Sequence, residues 1–189
     1  MNVRMISLTF SWGLFLLSGC ADIPTPPIMP KVDPSASIKS LDQFNQILHD
    51  VAARKGQHIQ LAGHLHSVKE TQNGYKAFAS WLPYPRHGVA EDGPSDVPGV
   101  GVPDYLFYFD GKMDMDEFSF VTGDKFILTG TIQGTEKFVI DFLDEEKTLL
   151  VVSAQCVHIW DTGTSGGGSG SGTTMDYPGE IARTFCAQK

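Results

Sequence analysis

Two histidines separated by one residue are the first candidates for chemistry in this 189-residue chain. His64 and His66 lie in a segment where apolar residues alternate, so in a strand both imidazoles leave the same face and could reach one metal ion. A tetrahedral site needs further ligands, and nothing in the sequence places the acids Asp114, Asp116 and Glu117 near them. The alternative, which the sequence favours, is a strand face turned to solvent.

Cys20 is the second residue with a specific chemistry. It ends the segment Leu17-Ser18-Gly19-Cys20, which follows an apolar run from Met5 to Leu17. This run is shorter than the ~20 residues that a helix needs to span a bilayer, so it is typical of a cleaved signal peptide. The pattern resembles the bacterial lipobox, which implies cleavage before Cys20 and lipid attachment to it. The alternative is an ordinary secretory signal.

The other two cysteines, Cys156 and Cys186, form an even pair in a chain that the signal segment directs out of the cytoplasm. An oxidising compartment favours a disulfide between them. Such a bond would close a loop of 29 intervening residues. Loops of this size stabilise a fold by about 3 to 4 kcal/mol in the chain-entropy description. Two free thiols are the alternative.

A search for a catalytic nucleophile finds one weak match. The segment Gly163 to Gly167 has the form of a nucleophile elbow around Ser165. That motif works between a strand and a helix, whereas here a glycine and serine linker follows it. No other grouping of serine, cysteine and histidine suggests a triad, and no phosphate-binding glycine loop precedes a helix. The sequence therefore predicts a protein that is not an enzyme.

Aromatic residues offer a further binding hypothesis. Alternation along the strand 105–109 places Tyr105, Phe107 and Phe109 on one face, the expected interior, and Tyr108 on the other. Aromatic faces stack on sugars and bases, so a ligand groove at a barrel mouth is one interpretation. Packing into the core is the alternative. The residues predicted to line that groove are Trp81, Tyr84 and Tyr108.

Charge limits the class of partner. Without residues 1–19 the chain keeps 13 basic and 22 acidic residues, a net charge of −9. An acidic domain repels polyphosphate, and no cluster of lysine and arginine with interleaved aromatics offsets this repulsion. The sequence therefore predicts that nucleic acid is not a partner. The partners expected are the membrane, reached through the lipid on Cys20, and an envelope protein or glycan.

The elements that position these residues follow from local patterns. After a proline-rich tether over residues 20–39, Ser40 and Gln43 have the form of a capping box and begin an amphipathic helix over residues 40–54. Alternating segments from residue 58 to residue 160 predict at least five strands, and Gly63 suggests a bulge or bend in the first of them. The chain is therefore mainly β, with one N-terminal amphipathic helix and a small β-barrel.

Four stretches together resemble the Slp family of outer-membrane lipoproteins. They are residues 63–68 (Gly-His-Leu-His-Ser-Val), Trp81-Leu82-Pro83, residues 126–134 (Phe-Ile-Leu-Thr-Gly-Thr-Ile-Gln-Gly) and Val157-His158-Ile159-Trp160. Their order and spacing match across residues 56–160, and residues 130–134 are the most specific. The resemblance implies an OB-like β-barrel on the inner leaflet of the outer membrane, associated in some members with starvation or stress. It implies no catalytic residue. Apart from the covalent lipid on Cys20 and the metal hypothesis for His64 and His66, the sequence predicts no cofactor.

These observations divide the chain into a signal peptide (1–19), a proline-rich tether (20–39), a domain of helix and barrel (40–160) and a glycine and serine-rich linker with a tail (161–189). The expected function is that of a lipoprotein on the periplasmic side of the outer membrane, acting as a binding or structural module. The alternative is a metal or small-ligand binding protein that uses the face of His64 and His66. The tail departs from the family pattern, because glycines and Cys186 stand where aromatic residues are common.

Overall fold

Six strands and a short helical segment build the domain. The computed structural model describes residues 29, 34–86, 93–97, 101–111, 123–140, 145–160 and 182–187. A 3-10 turn (Pro34–Ala36) precedes α1 (Leu41–His49) and α2 (Val51–Arg54). The strands are β1 (His58–Thr71), β2 (Gly74–Leu82), β3 (Asp104–Phe109), β4 (Lys125–Ile140), β5 (Glu145–Trp160) and β6 (Ala182–Cys186).

The helical segment begins where the sequence predicts it. The Ser40 side chain accepts a hydrogen bond from the Gln43 amide, and the Gln43 side chain accepts one from the Ser40 amide, which completes the capping box. The predicted single helix over residues 40–54 is wrong at Asp50, whose backbone leaves the helical region at φ −135° and ψ 37°. The Asp50 amide donates to the Ile47 carbonyl, so α1 closes there and α2 starts afresh.

The strand order gives an OB-like barrel. Neighbouring strands follow the order β3-β2-β1-β4-β5-β6, and β3 also pairs with β5, which closes strands 1 to 5 into a barrel. The β3–β5 pair is parallel and every other pair is antiparallel. A five-stranded barrel of this kind is the architecture of the OB fold. The prediction of a mainly β chain with an OB-like barrel and a minor helix is confirmed.

The barrel interior holds the main core, and the helices close one of its ends. Tyr105, Phe107 and Phe109 all point into this core, as strand alternation predicts. Phe44 of α1 is 0% exposed, and its ring centroid lies 6.0 Å from those of both Trp81 and Tyr105. Burial of such side chains is the main favourable term for folding, so the helix belongs to the barrel domain and not to the tether.

The long strands β1 and β4 are irregular, but β1 is not irregular at the glycine where the sequence suggests a bulge. The bulge in β1 lies between Leu65 and Ser67, at His66, while Gly63 pairs regularly with Trp81 and Phe126. β4 runs without interruption from Lys125 to Ile140, although its register against β5 shifts next to Gly130 and again next to Gly134. The first shift skips Gln155 of β5 and the second skips Gln133 of β4, so neither glycine ends the strand.

The tail adds a sixth strand. Cys156 and Cys186 face each other across β5 and β6 and form a disulfide. The amide of Ala187 also donates to the Gln155 carbonyl, 2.8 Å away. Residues 161–181, which include Ser165, lie outside the described part, as do residues 1–28. Among the helices described, none is long and apolar enough to cross a membrane.

Candidate functional site

A polar cluster crosses the outer surface of the barrel where three strands meet. Strand pairing sets His64 of β1 opposite Ser80 of β2 on one side and opposite Lys125 of β4 on the other. All three lie on the face opposite the core, because His64 alternates with the core residue Leu65. The sequence therefore predicted the outward face of His64 correctly.

His66 belongs to this cluster as well. It lies two residues after His64, at the β1 bulge, and its ring centroid lies 4.8 Å from that of His64 in an edge-on arrangement. His66 Nε2 lies 2.6 Å from Ser80 Oγ, and Ser80 Oγ donates to Asp104 Oδ1 at 2.6 Å. Since the single serine proton goes to Asp104, the serine oxygen accepts from His66 Nε2–H.

Asp104 connects the cluster to a cleft beside the helices. Its second oxygen, Oδ2, lies 3.7 Å from Lys147 Nζ, so it has partners on both sides. The cleft measures about 300 Å³ and lies between the end of α1 and the starts of β3 and β5. Its lining consists of Leu48, Val102, Pro103, Asp104, Lys147, Thr148 and Leu149.

Burial controls the charge of both histidines. Desolvation lowers the pKa of His64 below its usual value of 6.5, although Asp96 and Asp104 oppose this. Desolvation also lowers the pKa of His66, with a smaller contribution from His64, and again Asp104 opposes it. Both imidazoles are therefore neutral at pH 7, and the contact between His66 and Asp104 at 3.9 Å is not an ion pair there.

The direction of these hydrogen bonds bears on catalysis. In a Ser-His-Asp triad the histidine takes the serine proton and the aspartate orients the histidine. Here Ser80 stands between the other two and gives its proton to Asp104. Ser80 is also only 4% exposed. The cluster therefore has the residue types of a triad but neither its order nor an accessible nucleophile.

A metal site needs more ligating side chains than the described residues place beside His64 and His66. Neutral imidazoles are the form that binds metals, and the rings of His64 and His66 are adjacent. Within the described ranges, no group of three or more histidine, cysteine, aspartate or glutamate side chains could hold a metal ion. His58 lies further along β1, with Nδ1 3.3 Å from Thr131 Oγ1. The acids Asp114, Asp116 and Glu117 fall outside those ranges.

The three predicted groove aromatics do not form one groove. Trp81 points into the barrel core, Tyr84 packs in an apolar cluster on the outer face, and Tyr108 lies in a second outer cluster. Tyr108 donates to Glu136 Oε2 at 2.7 Å. Strand alternation turns Trp81 inward and Tyr108 outward, whereas Tyr84 lies beyond the end of β2. The three rings therefore do not share one surface.

A hairpin covers the surface where OB folds commonly bind ligands, the outer face of strands 2 and 3. Phe138 of β4 stacks on Phe78 of β2 with ring centroids 4.9 Å apart. Lys76 of β2 contacts Glu136 of β4 at 2.5 Å, and its Nζ lies 5.3 Å from the Tyr108 ring centroid. The outer part of the β4–β5 hairpin therefore packs against β2 and β3 and fills this face with the chain's own side chains.

Sequence reasoning missed Ser80, Asp104 and Lys147, which complete the cluster. Each is an ordinary polar residue in its own strand, and only the register of β1, β2, β3 and β5 brings them together. The available signal was alternation: Ser80 lies one residue before the core residue Trp81, and Asp104 one residue before the core residue Tyr105. Both positions are therefore outward.

Comparisons with known proteins give a fold likeness and no family. No family model matches the chain, and the search of curated proteins found no match. A small single-stranded DNA-binding protein from Streptomyces coelicolor aligns over 54% of this chain and 92% of its own, at 12% identity and a TM-score of 0.33. The mitochondrial single-stranded DNA-binding protein Rim1 from S. cerevisiae aligns over 55% and 94%, at 13% identity and a TM-score of 0.30.

These neighbours correct the predicted list of partners. Net charge led to the exclusion of nucleic acid, yet the solved structures that this chain resembles are single-stranded DNA-binding proteins. That exclusion is withdrawn, because a net charge averages over the surface and does not describe one binding face. At these TM-scores the likeness does not assign DNA binding to this chain.

Proposed function

We propose that this chain is a lipoprotein of the outer membrane, of the Slp type, whose OB-like barrel faces the periplasm as a binding or structural module of the envelope. The observation that carries the proposal is the lipobox-like segment Leu17-Ser18-Gly19-Cys20 directly after a short apolar run. Prolines at positions 24, 26, 27 and 30 then separate Cys20 from the first described turn at Pro34.

Two features of the domain support this proposal. A disulfide between Cys156 and Cys186 suits an oxidising compartment such as the periplasm. Pro34 lies 14 residues after Cys20, a reach of roughly 40 Å for an extended polyproline segment, which is enough to hold a barrel clear of lipid headgroups. Stress association and the family name are carried by the resemblance alone.

Processing of Cys20 tests the anchor directly. We expect the mature protein to begin at Cys20, to carry the mass of attached acyl chains and to sediment with outer membranes on a density gradient. Cys20→Ser should be recovered without acyl mass and outside the membrane fraction. The residue after Cys20 is Ala21 and not aspartate, which in lipoproteins of the enterobacterial type resembles the pattern sent on to the outer membrane. Ala21→Asp should therefore shift the protein to the inner membrane, while the control Ala21→Ser should not. Wild-type protein with an unmodified Cys20 would overturn the proposal.

A second candidate function is metal binding at His64 and His66, favoured by two adjacent, half-buried and neutral imidazoles. Zinc or copper at about 100 times the dissociation constant should stabilise the fold by roughly 2.7 kcal/mol, or several degrees in thermal midpoint. The double variant His64→Ala/His66→Ala should lose this shift, and His58→Ala should keep it. No shift with either metal would remove this candidate.

A further inference from the structure

An apolar patch on the outer face of the barrel lies beyond the functions proposed above. It consists of Ala62, Leu82, Tyr84, Ile127 and Trp160. Strand pairing aligns Leu82, Ala62 and Ile127 in one row across β2, β1 and β4. Apolar residues on the outer face of a strand are buried only when another segment packs over them. Trp160 is only 1% exposed, so such a segment covers this patch.

The described residues that cover this patch come from two segments. The loop 93–97 approaches from one side, since a methyl group built on Gly93 would lie 3.1 Å from the Trp160 ring. An ion pair between Lys125 Nζ and Asp96 Oδ2, 3.1 Å apart, ties that loop to β4. The second segment is represented by Met29, whose partly buried side chain packs against the patch.

We infer that the patch is a docking site for the chain's own proline-rich tether, residues 23–30. Met29 already lies on it, and Pro24, Pro26 and Pro27 precede Met29 within residues 23–28 of the sequence. Proline-rich segments favour the extended polyproline conformation, and they bind aromatic-lined surfaces because little conformational entropy is lost on docking. Tyr84 and Trp160 supply the aromatic surface.

A polar group at the edge of the patch matches this occupant. His158 lies opposite Ile127 in the same row, and its ring centroid is 4.4 Å from that of Trp160. Its Nδ1 lies 2.6 Å from Thr184 Oγ1, while the buried Nε2 has no hydrogen-bond partner among the described residues. A proline-rich segment carries carbonyl acceptors with few amide donors, so a histidine N–H is the complementary group.

Docking would also orient the barrel, a consequence that rests on the proposed lipid anchor. Met29 lies nine residues after Cys20, a reach of about 28 Å in the polyproline conformation. A tether fixed at Met29 turns the patch side of the barrel, formed by β1, β4 and β5, toward the membrane. The β4–β5 hairpin, which packs on β2 and β3, then faces away from the membrane.

The experiment uses the mature chain from position 20 with Cys20→Ser, so that docking is measured without lipid. We expect nuclear Overhauser contacts between the Met29 methyl group and the rings of Tyr84 and Trp160, with the resonance assigned from its loss in Met29→Leu. Trypsin cleavage after Lys31 should be slow, and Met29→Asp should accelerate it about tenfold, as expected when cleavage follows local opening. The control Val139→Asp, at an exposed position on the hairpin, should leave the rate unchanged.

A Met29 methyl resonance at the random-coil position without ring contacts, or equal cleavage of Met29→Asp and the parent, would overturn the docking. Pro26→Gly/Pro27→Gly should also accelerate cleavage, because it removes the preformed conformation without touching Met29. Failure of docking leaves acylation of Cys20 unaffected, and a chain that is not acylated can still show docking. The two proposals therefore fail separately.

Discussion

Gly63 is a residue that constrains the barrel wall because it has no side chain. It lies between β2 and β4, paired with Trp81 and Phe126, at a point where the strands pack closely. A methyl group there would overlap the Ser80 carbonyl oxygen and lie 3.1 Å from the Phe126 ring. The absence of a side chain, and not an unusual backbone conformation, is what this position requires.

We expect Gly63→Ala to lower the free energy of unfolding by about 1 to 3 kcal/mol, the usual cost of forcing extra atoms into a packed region. Gly101→Ala is the matched control, since nothing lies within 4 Å of the position its methyl group would take. Urea unfolding of both variants measures the difference. Equal free energies of unfolding for the two variants would show that the strands shift to accommodate a methyl group at Gly63.

At the scale of elements, the outer part of the β4–β5 hairpin covers the outer face of β2 and β3. Register shifts at Gly130 and Gly134 redirect β4, and the hairpin then packs Phe138 on Phe78 and pairs Glu136 with Lys76. The ion pair between Glu136 and Lys76 adds little stability, because ion pairs near the surface contribute less than about 1 kcal/mol. The stacking of Phe138 on Phe78 is therefore the main interaction that holds the hairpin against β2.

Phe138→Ala should lower the free energy of unfolding by about 1 to 2 kcal/mol, less than for a fully buried phenylalanine because this side chain is half-buried. The neighbour Val139 is 48% exposed and points away, so Val139→Ala should change stability by less than about 0.5 kcal/mol. Denaturant unfolding compares the two. Hydrogen exchange on β2 should also rise in Phe138→Ala, and unchanged exchange there would contradict the covering role of the hairpin.

At the scale of the whole molecule, three half-buried or buried histidines in the described part of the chain couple stability to pH. Desolvation lowers the pKa of His64, His66 and His158 in the folded state below the value of 6.5. Above that value both folded and unfolded chains are neutral at these sites. As the pH falls through it, the unfolded chain binds protons that the folded chain does not, so the free energy of unfolding decreases until the folded-state pKa values are reached.

We therefore expect the free energy of unfolding to fall as the pH drops below 6.5, with each histidine contributing at most one proton to the slope. His158→Asn should make this slope shallower, since asparagine keeps a polar atom near Thr184 but does not titrate. His49→Asn, at an exposed position on α1, is the control and should leave the slope unchanged. Urea titrations at several pH values give the slopes, and identical slopes for wild type and His158→Asn would exclude a contribution from His158.

The sequence by itself determined the features that depend on neighbouring residues. The capping box at Ser40 follows from a serine and a glutamine three residues apart. The outward face of His64 and the inward face of Tyr105 follow from the period of two residues that strand geometry sets. The lipobox and the tether are also local patterns. They predict a lipid-anchored location for the protein, and that location stays a prediction.

Only the tertiary structure decided which distant residues meet. Asp104 reaches Ser80 and His66 because β3 pairs with β2 and β2 with β1, and a one-residue change in register would turn these side chains to the other face. The division of the predicted aromatic groove among three clusters, the hairpin on β2 and β3, and the seat of Met29 near Trp160 depend on strand curvature and barrel closure. Local periodicity carries no information on these, because they arise from packing between segments far apart in the chain.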